Sequence, residues 1–400
     1  MRRNLPTSSY LKTILTPLLL ILLMTACQQQ TLQEVAQGQY GQIKITANDR
    51  HAVYQTVTPL TFNLLRAMHR EGENLLISPQ GLVYALSILH IGAEGQTRLE
   101  LDSLLHHTDN DNAKMYALFH KMMVSDAATQ SDKEQKNDGR LSVLANENTI
   151  VHDPLLPLTD EFAKRSEAEL FATISSSPTV RGITITNRLV FDGYWDEEFD
   201  PGLTEYRPFR QEHGQVDSIL MMEKQFHAQY MQTDDFQLLR VPYTGHFSMY
   251  ILLPRQDTTI KDMLGRLDAK LWNTLCRRMR EEDVHLWLPK FKMRRKIKLD
   301  QPLQTIGLRT AFESSRANLS SLSDYPTYVE HVTQDVLLDV TEEHTHAEAT
   351  TTIEVVAVSA VAPSPEKHRP VYEVRCDHPF LFFIVNDFGS ICFAGEYMVP

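Results

Sequence analysis

Apolar positions along this chain recur with two different periods, and the period changes from segment to segment. Leu60, Phe62, Leu64, Leu65 and Met68 predict a helix over 60–68. A second, buried helix is expected over Gln80–His90, because Ser78 can cap it and Pro79 suits a first turn. Leu141–Val151 reads as a strand and Asp160–Ala168 as a helix. Ile183–Phe191, Val216–Met222, Phe236–Val241 and Phe247–Leu253 are strands, and Ile260–Arg280 is helical. Val284–Leu288, Val332–Val340 and Tyr372–Ala394 return to strand. Helices first and dispersed long strands later give an α+β class.

The clearest alternation begins at Glu342-Glu343-His344. Thr345, Ala347, Ala349, Thr351, Ile353 and Val355 share one face, and all are small or apolar. His346, Glu348, Thr350, Thr352 and Glu354 share the other, which is mostly polar. That is a strand with one dry and one wet face. Yet it runs directly into Ala360-Val361-Ala362-Pro363-Ser364-Pro365, which has the chemistry of an exposed loop. A strand-competent segment ending in loop chemistry has two homes, one outside a sheet and one within it.

Composition narrows the class. The chain has 400 residues, 42% of them hydrophobic, enough for a normal core. No linker or repeat divides it, so residues 51–400 read as one domain. A net charge of −12 gives no nucleic-acid surface. The basic run Lys290–Lys298 is short, sits beside an apolar strand and is read as a solvated strand face rather than a polyanion site.

The N-terminus is an address. Arg2, Arg3 and Lys12 precede an apolar run, Ile14–Met24, that contains Pro17 and is too short to span a bilayer. It stops at Leu23-Met24-Thr25-Ala26-Cys27, which resembles the lipobox of bacterial lipoproteins. The expectation is a signal peptide over 1–26, acylation of Cys27 and a polar tether over 27–50. Gln28, not Asp, then favours the outer membrane of an exported protein, on its periplasmic or surface face. The alternative is an ordinary signal peptide with Cys27 incidental. Cys376 and Cys392 lie in flanking apolar strands and either pair or pack as buried thiols, the second being favoured. Cys276 has no evident partner.

Enzymatic motifs are missing: there is no Gly-x-Ser-x-Gly elbow, phosphate loop or His-Glu-x-x-His. His344, His346 and Glu348 would share a strand face. No third His or Cys is placed beside them, so no metal and no cofactor are expected.

Seven blocks in order resemble the serpin family. They are Asn74–Pro79 with Ala85–Leu89 and Gly92–Thr97; Thr186–Phe191 with Gly193-Tyr194-Trp195 and Phe199–Pro201; Leu239–Tyr243 with Met249–Pro254; Leu288–Lys292 with Leu303–Leu308; the hinge at Glu342; Val374–Ile384; and Phe393–Gly395. The resemblance implies a serpin fold, with a large mixed sheet, two further sheets, surrounding helices and an exposed reactive loop at about 342–365. It implies an inhibitor, not an enzyme, whose partner is a serine protease caught as a covalent complex, and a monomer. Glu342, Glu343, His344, Thr345, Ala347 and Ala349 would be the hinge. Ser78, Asn187, Trp195 and Gln334 would support the sheet where it opens.

By the family's spacing the reactive bond falls at Val358-Ser359, with Ala357-Val358 and Ser359-Ala360 as neighbouring registers. Val before the cut implies an elastase-like target, and no Lys or Arg lies between His346 and Glu366. About ten new backbone hydrogen bonds at about 0.5–1.5 kcal/mol each, with Ile353 and Val355 buried, would drive insertion by about 10 kcal/mol. Glu348 falls on the wet face, where its charge costs little.

The chain departs from the family at four places. His344 stands for a Gly and is expected to stiffen the hinge. Gln334 stands for a His, and Gly81 for a Ser. Between Leu170 and Ile183 the family carries a helix across the large sheet; here only Ala172–Gly182 bridges the gap, with Ser175-Ser176-Ser177-Pro178 read as a turn. These departures keep two alternatives open: a non-inhibitory serpin-fold protein acting as substrate or carrier, and a metal-binding or hydrolytic envelope lipoprotein.

Overall fold

The computed structural model describes residues 47–106, 142–170, 172–180, 182–245, 247–255, 257–345 and 370–400. The leader, Cys27 and most of the tether lie outside them, as do His346, Ala347, Glu348, Ala349, Val358 and Ser359. Helices are α1 (Ala47–Met68), α2 (Pro79–Gly92), α3 (Gly95–Leu105), α4 (Asp160–Leu170), α5 (Ile260–Arg266), α6 (Ala269–Arg278) and α7 (Asp300–Thr305). Strands are β1 (Leu75–Ile77), β2 (Val143–His152), β3 (Ala172–Ser176), β4 (Ile183–Tyr194), β5 (Glu205–Arg210), β6 (Val216–Gln232), β7 (Phe236–Pro242) and β8 (Phe247–Pro254). They continue as β9 (Arg280–Pro289), β10 (Phe291–Lys298), β11 (Thr333–Val340), β12 (His344–Thr345), β13 (Val371–Arg375), β14 (Phe380–Asn386) and β15 (Ile391–Tyr397).

Two sheets organise the chain. One runs β1-β15-β14-β8-β7-β6-β9-β13 with β5 beside β6; the other runs β10-β11-β12-β4-β2-β3. Strand β14 is buried on both faces. Leu381, Phe383 and Val385 pack under α1 and α6 with Phe62 and Trp272, while Phe380, Phe382 and Ile384 meet Phe191, Trp195 and Leu338 between the sheets. A strand dry on both sides reads as a continuous apolar run, which Phe380–Val385 is.

Local chemistry sets the helix ends. The Ser78 side chain accepts from the Gly81 amide and caps α2, with Pro79 in its first turn. The single helix expected over Ile260–Arg280 is two. Thr259 and Asp262 form a capping box on α5, and Asp268 caps α6 through the Leu271 amide, so a new start interrupts the run. Helix α1 begins at Ala47, inside the last residues assigned to the tether. The basic run is itself the edge strand β10. Lys292 and Arg294 pair across to Asp339 and Asp335 of β11, both at short range (2.8 and 2.9 Å).

Between β3 and β4 the described residues contain no helix. Ser175 and Ser176 finish β3, and the turn comes later, where the Val180 amide donates to the Ser177 carbonyl. The outer sheet face left uncovered there is polar. Asn148, Ile150, Ile185 and Asn187 share the inner face, so Glu147, Thr149, Thr173, Ser175, Thr184, Thr186 and Arg188 share the outer one with a single apolar residue among them, Val151. Hydroxyls and an opposed Glu147–Arg188 pair keep that face compatible with water.

Candidate functional site: the hinge and the sheet opening

The site is a gap in a sheet. Among the described residues β4 and β11 share no register; they are joined only by the two residues of β12. Thr345 pairs with Val340 of β11 on one side and Gly193 of β4 on the other, and His344 pairs with Tyr194. Beyond β12, Ile183–Asp192 and Thr333–Asp339 run on without one another's hydrogen bonds.

The upper end of the gap is built around Trp195. Its indole Nε1 donates to the Thr341 carbonyl at 2.9 Å, and its backbone amide donates to the Glu343 carbonyl. The Phe199 amide donates to the Glu342 carbonyl at 2.9 Å. Trp195 stacks on Tyr243 at 4.3 Å and meets Phe199 edge-on. The Tyr243 hydroxyl lies 2.9 Å from the hydroxyl of Thr345, and burial pushes that phenol well above its ordinary range. Thr345 is fully buried, as the alternation requires of the first inward residue.

The Lys290 ammonium donates to Glu342 at 2.8 Å. Burial works to raise the Glu342 carboxyl, but hydrogen bonds from Lys290 and from its own backbone amide outweigh it and hold the group below its usual range. His344 sits in extended backbone, and the one non-glycine residue with positive φ among the described residues is His106. The conformation found here therefore needs no glycine at 344.

The middle of the gap rests on the start of α2. The Gln334 side chain spans the Ser78 peptide, accepting from its amide and donating to its carbonyl, both at 2.8 Å. The Ser78 hydroxyl donates to the Cys392 carbonyl. Asn187 donates to Asn148, and Asn148 donates to the Leu170 carbonyl, each at 2.8 Å.

The fold brings Ser78, Asn187 and Gln334 together at the middle of the opening, and Trp195 with Glu342, Glu343, His344 and Thr345 to its upper end. Thr341, Tyr243 and Asn148 escaped the sequence reading. Tyr243 lay inside a recognised block, but its partner stands far off in the chain. Cys376 and Cys392 are buried and Cys276 is half-buried on α6, and none of the three is in a disulfide among the described residues. Among the described residues no three His, Cys, Asp or Glu side chains are arranged to hold a metal ion.

Comparison with known proteins agrees with this geometry. A family model described as serpin (serine protease inhibitor) matches residues 55–178 and 169–400. An uncharacterised serpin-like protein of Methanosarcina acetivorans is 27% identical over 85% of this chain and 84% of its own. Plasminogen activator inhibitor 1 of Neovison vison is 26% identical, over 84% and 89%. Among solved structures, the thermophilic serpin tengpin in its native state superposes with a TM-score of 0.71 at 19% identity, covering 87% of this chain and 94% of that one. Native protease nexin-1 with heparin gives 0.72 at 19% identity, over 88% and 100%. With the family model spanning both the opening and the strands around it, the chain belongs to the serpin family.

Proposed function

We propose that this chain is a lipid-anchored serpin that inhibits serine endopeptidases of elastase-like preference. Family membership supports a protease-inhibitor type of function rather than an enzymatic one. One observation carries the finer reading: Thr345 is already paired on both sides between β11 and β4, at the head of a sequence that continues with the same alternation.

In this reading the segment beyond Thr345 is bait. A protease serine attacks the Val358 carbonyl, the bond to Ser359 breaks, and Val358 is left as an ester on the enzyme. The freed segment then continues β12 down the gap. Ala347 and Ala349 follow Thr345 inward, and small side chains there do not block entry. Carried along the sheet, the protease is distorted before water cleaves the ester. Export and acylation of Cys27 would hold this inhibitor at the outer membrane of a bacterium, where it shields the envelope from proteases.

His344 and the missing covering helix favour a second reading, in which the loop is cut but the protease escapes. Mixing the mature chain with an elastase and running a denaturing gel separates the two. A covalent band of high mass supports the trap; cleavage without a band supports the substrate.

A further inference from the structure

Helix α6 is one-sided. Trp272 and Leu275 are buried, Trp272 against the rings of Phe62 and Phe383. Lys270, Asn273, Thr274, Arg277 and Arg278 recur at the spacing of a single helix face, and all five are exposed. Arg280 follows at the start of β9 and is exposed as well. The outer face of α6 thus carries three cations and no carboxylate, with a fourth cation just beyond it, in a chain whose net charge is −12.

The fold leaves these charges uncompensated. The nearby ion pairs belong to α5, where Lys261 meets Glu71 at 3.4 Å and Arg266 meets Asp235 at 2.7 Å; among the described residues no carboxylate pairs with Lys270, Arg277, Arg278 or Arg280. Asp268 is committed to the Leu271 amide as the cap of α6, and Glu281 and Glu282 lie on β9 opposite Gln229 and Ala228. Arg280 donates to the Arg277 and Met279 carbonyls, which satisfies hydrogen bonds but not charge. The helix dipole favours Arg277 and Arg278 in the last turn of α6, yet it disfavours Lys270 in the first. The other basic run differs: on β10, Lys292 and Arg294 are paired with Asp339 and Asp335.

The route of the chain says what lies opposite this face. Two turns into α1, the Tyr54 hydroxyl donates to the Ala269 carbonyl, so the start of α1 adjoins the start of α6. Ala47, where α1 begins, is about 10 Å further along the helix axis. Residues 28–46 join it to Cys27. Even fully extended, a segment of that length reaches no more than about 65 Å. With Cys27 acylated, the reading on which this inference rests, the side of the domain where α1 begins is the side tied to the membrane.

We propose that the exposed face of α6 is a docking surface for the anionic phosphate headgroups of the membrane that the acyl anchor enters. Each Lys or Arg brought to such a surface strengthens binding about fivefold. The surface potential acts only within about 8 Å at physiological salt, so the cations must share one face, as they do here. Trp272 and Leu275 belong to the core on one side of β14, and Trp195, at the upper end of the sheet opening, to the core on the other. A domain resting on α6 therefore keeps the nine-stranded sheet between the lipid and Trp195.

Vesicle sedimentation of the mature chain carrying Cys27→Ser, which cannot be acylated, tests α6 apart from the anchor. The chain should bind vesicles of phosphatidylcholine mixed equally with phosphatidylglycerol, should not bind phosphatidylcholine alone, and should be released by salt. Arg277→Gln with Arg278→Gln should cut the partition about 25-fold, and Lys at both positions should restore it. Lys292→Gln with Arg294→Gln on β10 should leave it unchanged. Should the α6 double variant fail to fold, Lys270→Gln, expected to bind about fivefold more weakly, decides in its place. Indifference to phosphatidylglycerol, an undiminished partition in the α6 variants, an equal loss in the β10 variant, or α6-dependent binding to soluble heparin in place of vesicles would overturn the docking surface. The mass of Cys27 in the unaltered mature chain tests the anchor separately: a bare thiol there overturns the anchor and leaves the vesicle result standing.

Discussion

The carboxamide oxygen of Asn187 stands where a β-carbon on Gly81 would go: the two atoms would be 2.5 Å apart, with the Ser78 hydroxyl at 3.0 Å. Helix α2 and strand β4 approach this closely only because residue 81 has no side chain, which gives a physical reason for the departure from the family's Ser.

Gly81→Ser should therefore not restore anything. It should push Asn187 off Asn148 and destabilise the native state by about 1–3 kcal/mol, as overpacking does. Equilibrium denaturation in urea measures it. A pairing of Gly81→Ser with Asn187→Ala should recover part of the loss, since the clash is removed.

The Glu342–Lys290 pair should hold the upper end of the opening. With Glu342 10% exposed and Lys290 39% exposed, Glu342→Gln should cost about 1–2 kcal/mol, between a surface pair and a buried one. Its carboxyl is held below the ordinary value, so the contribution is present at neutral pH and is lost as pH falls through the depressed value. The difference in melting temperature between the chain and Glu342→Gln should shrink on acidification. A constant difference down to about pH 3, well into the carboxylate range, would exclude the pair as its source.

Much of the fold was legible because local chemistry and tertiary packing agree. Ser78-Pro79 announces α2, and the apolar run at Phe380 announces a strand buried on both faces. The break at Leu267-Asp268 was legible too, in Asp268 as a cap, but the apolar spacing either side of it was continuous and dominated the reading. The basic run was legible as a solvated strand face: it is β10, with Phe291 and Met293 buried and Lys292 and Arg294 exposed. The alternation that begins at Thr345 has its first inward residue buried, and the rest of it lies outside the described residues. What no pattern encodes is which distant residue meets Thr345. Tyr243 opposite Thr345, and Glu396 opposite His69, are partners made by the fold, and their sequence separation leaves no local trace.

The thiols offer a simple check on packing. Cys376 and Cys392 are buried, and burial raises the Cys376 thiol far above its ordinary value. Neither should react with a thiol reagent until the chain unfolds, and reductant should leave the melting temperature unchanged. A drop in melting temperature on reduction would reveal a disulfide and contradict the free-thiol assignment.

Thr345 separates trapping from cutting. Replacing it with Arg puts a charge where the side chain is fully buried against Tyr243, at a cost of several kcal/mol. Thr345→Arg should keep the loop cleavable and abolish the covalent band on a denaturing gel. An unchanged yield of complex would mean that β12 need not extend for inhibition.

Calorimetry on one polypeptide, intact and then clipped once close to Val358, puts the proposed spring to its most direct trial. A severed ribbon that fills the space between β4 and β11 must raise the unfolding temperature substantially, with about 10 kcal/mol of added stability behind it. If the clipped and intact forms unfold at the same temperature, the gap is not a destination for the bait and the trapping mechanism is wrong.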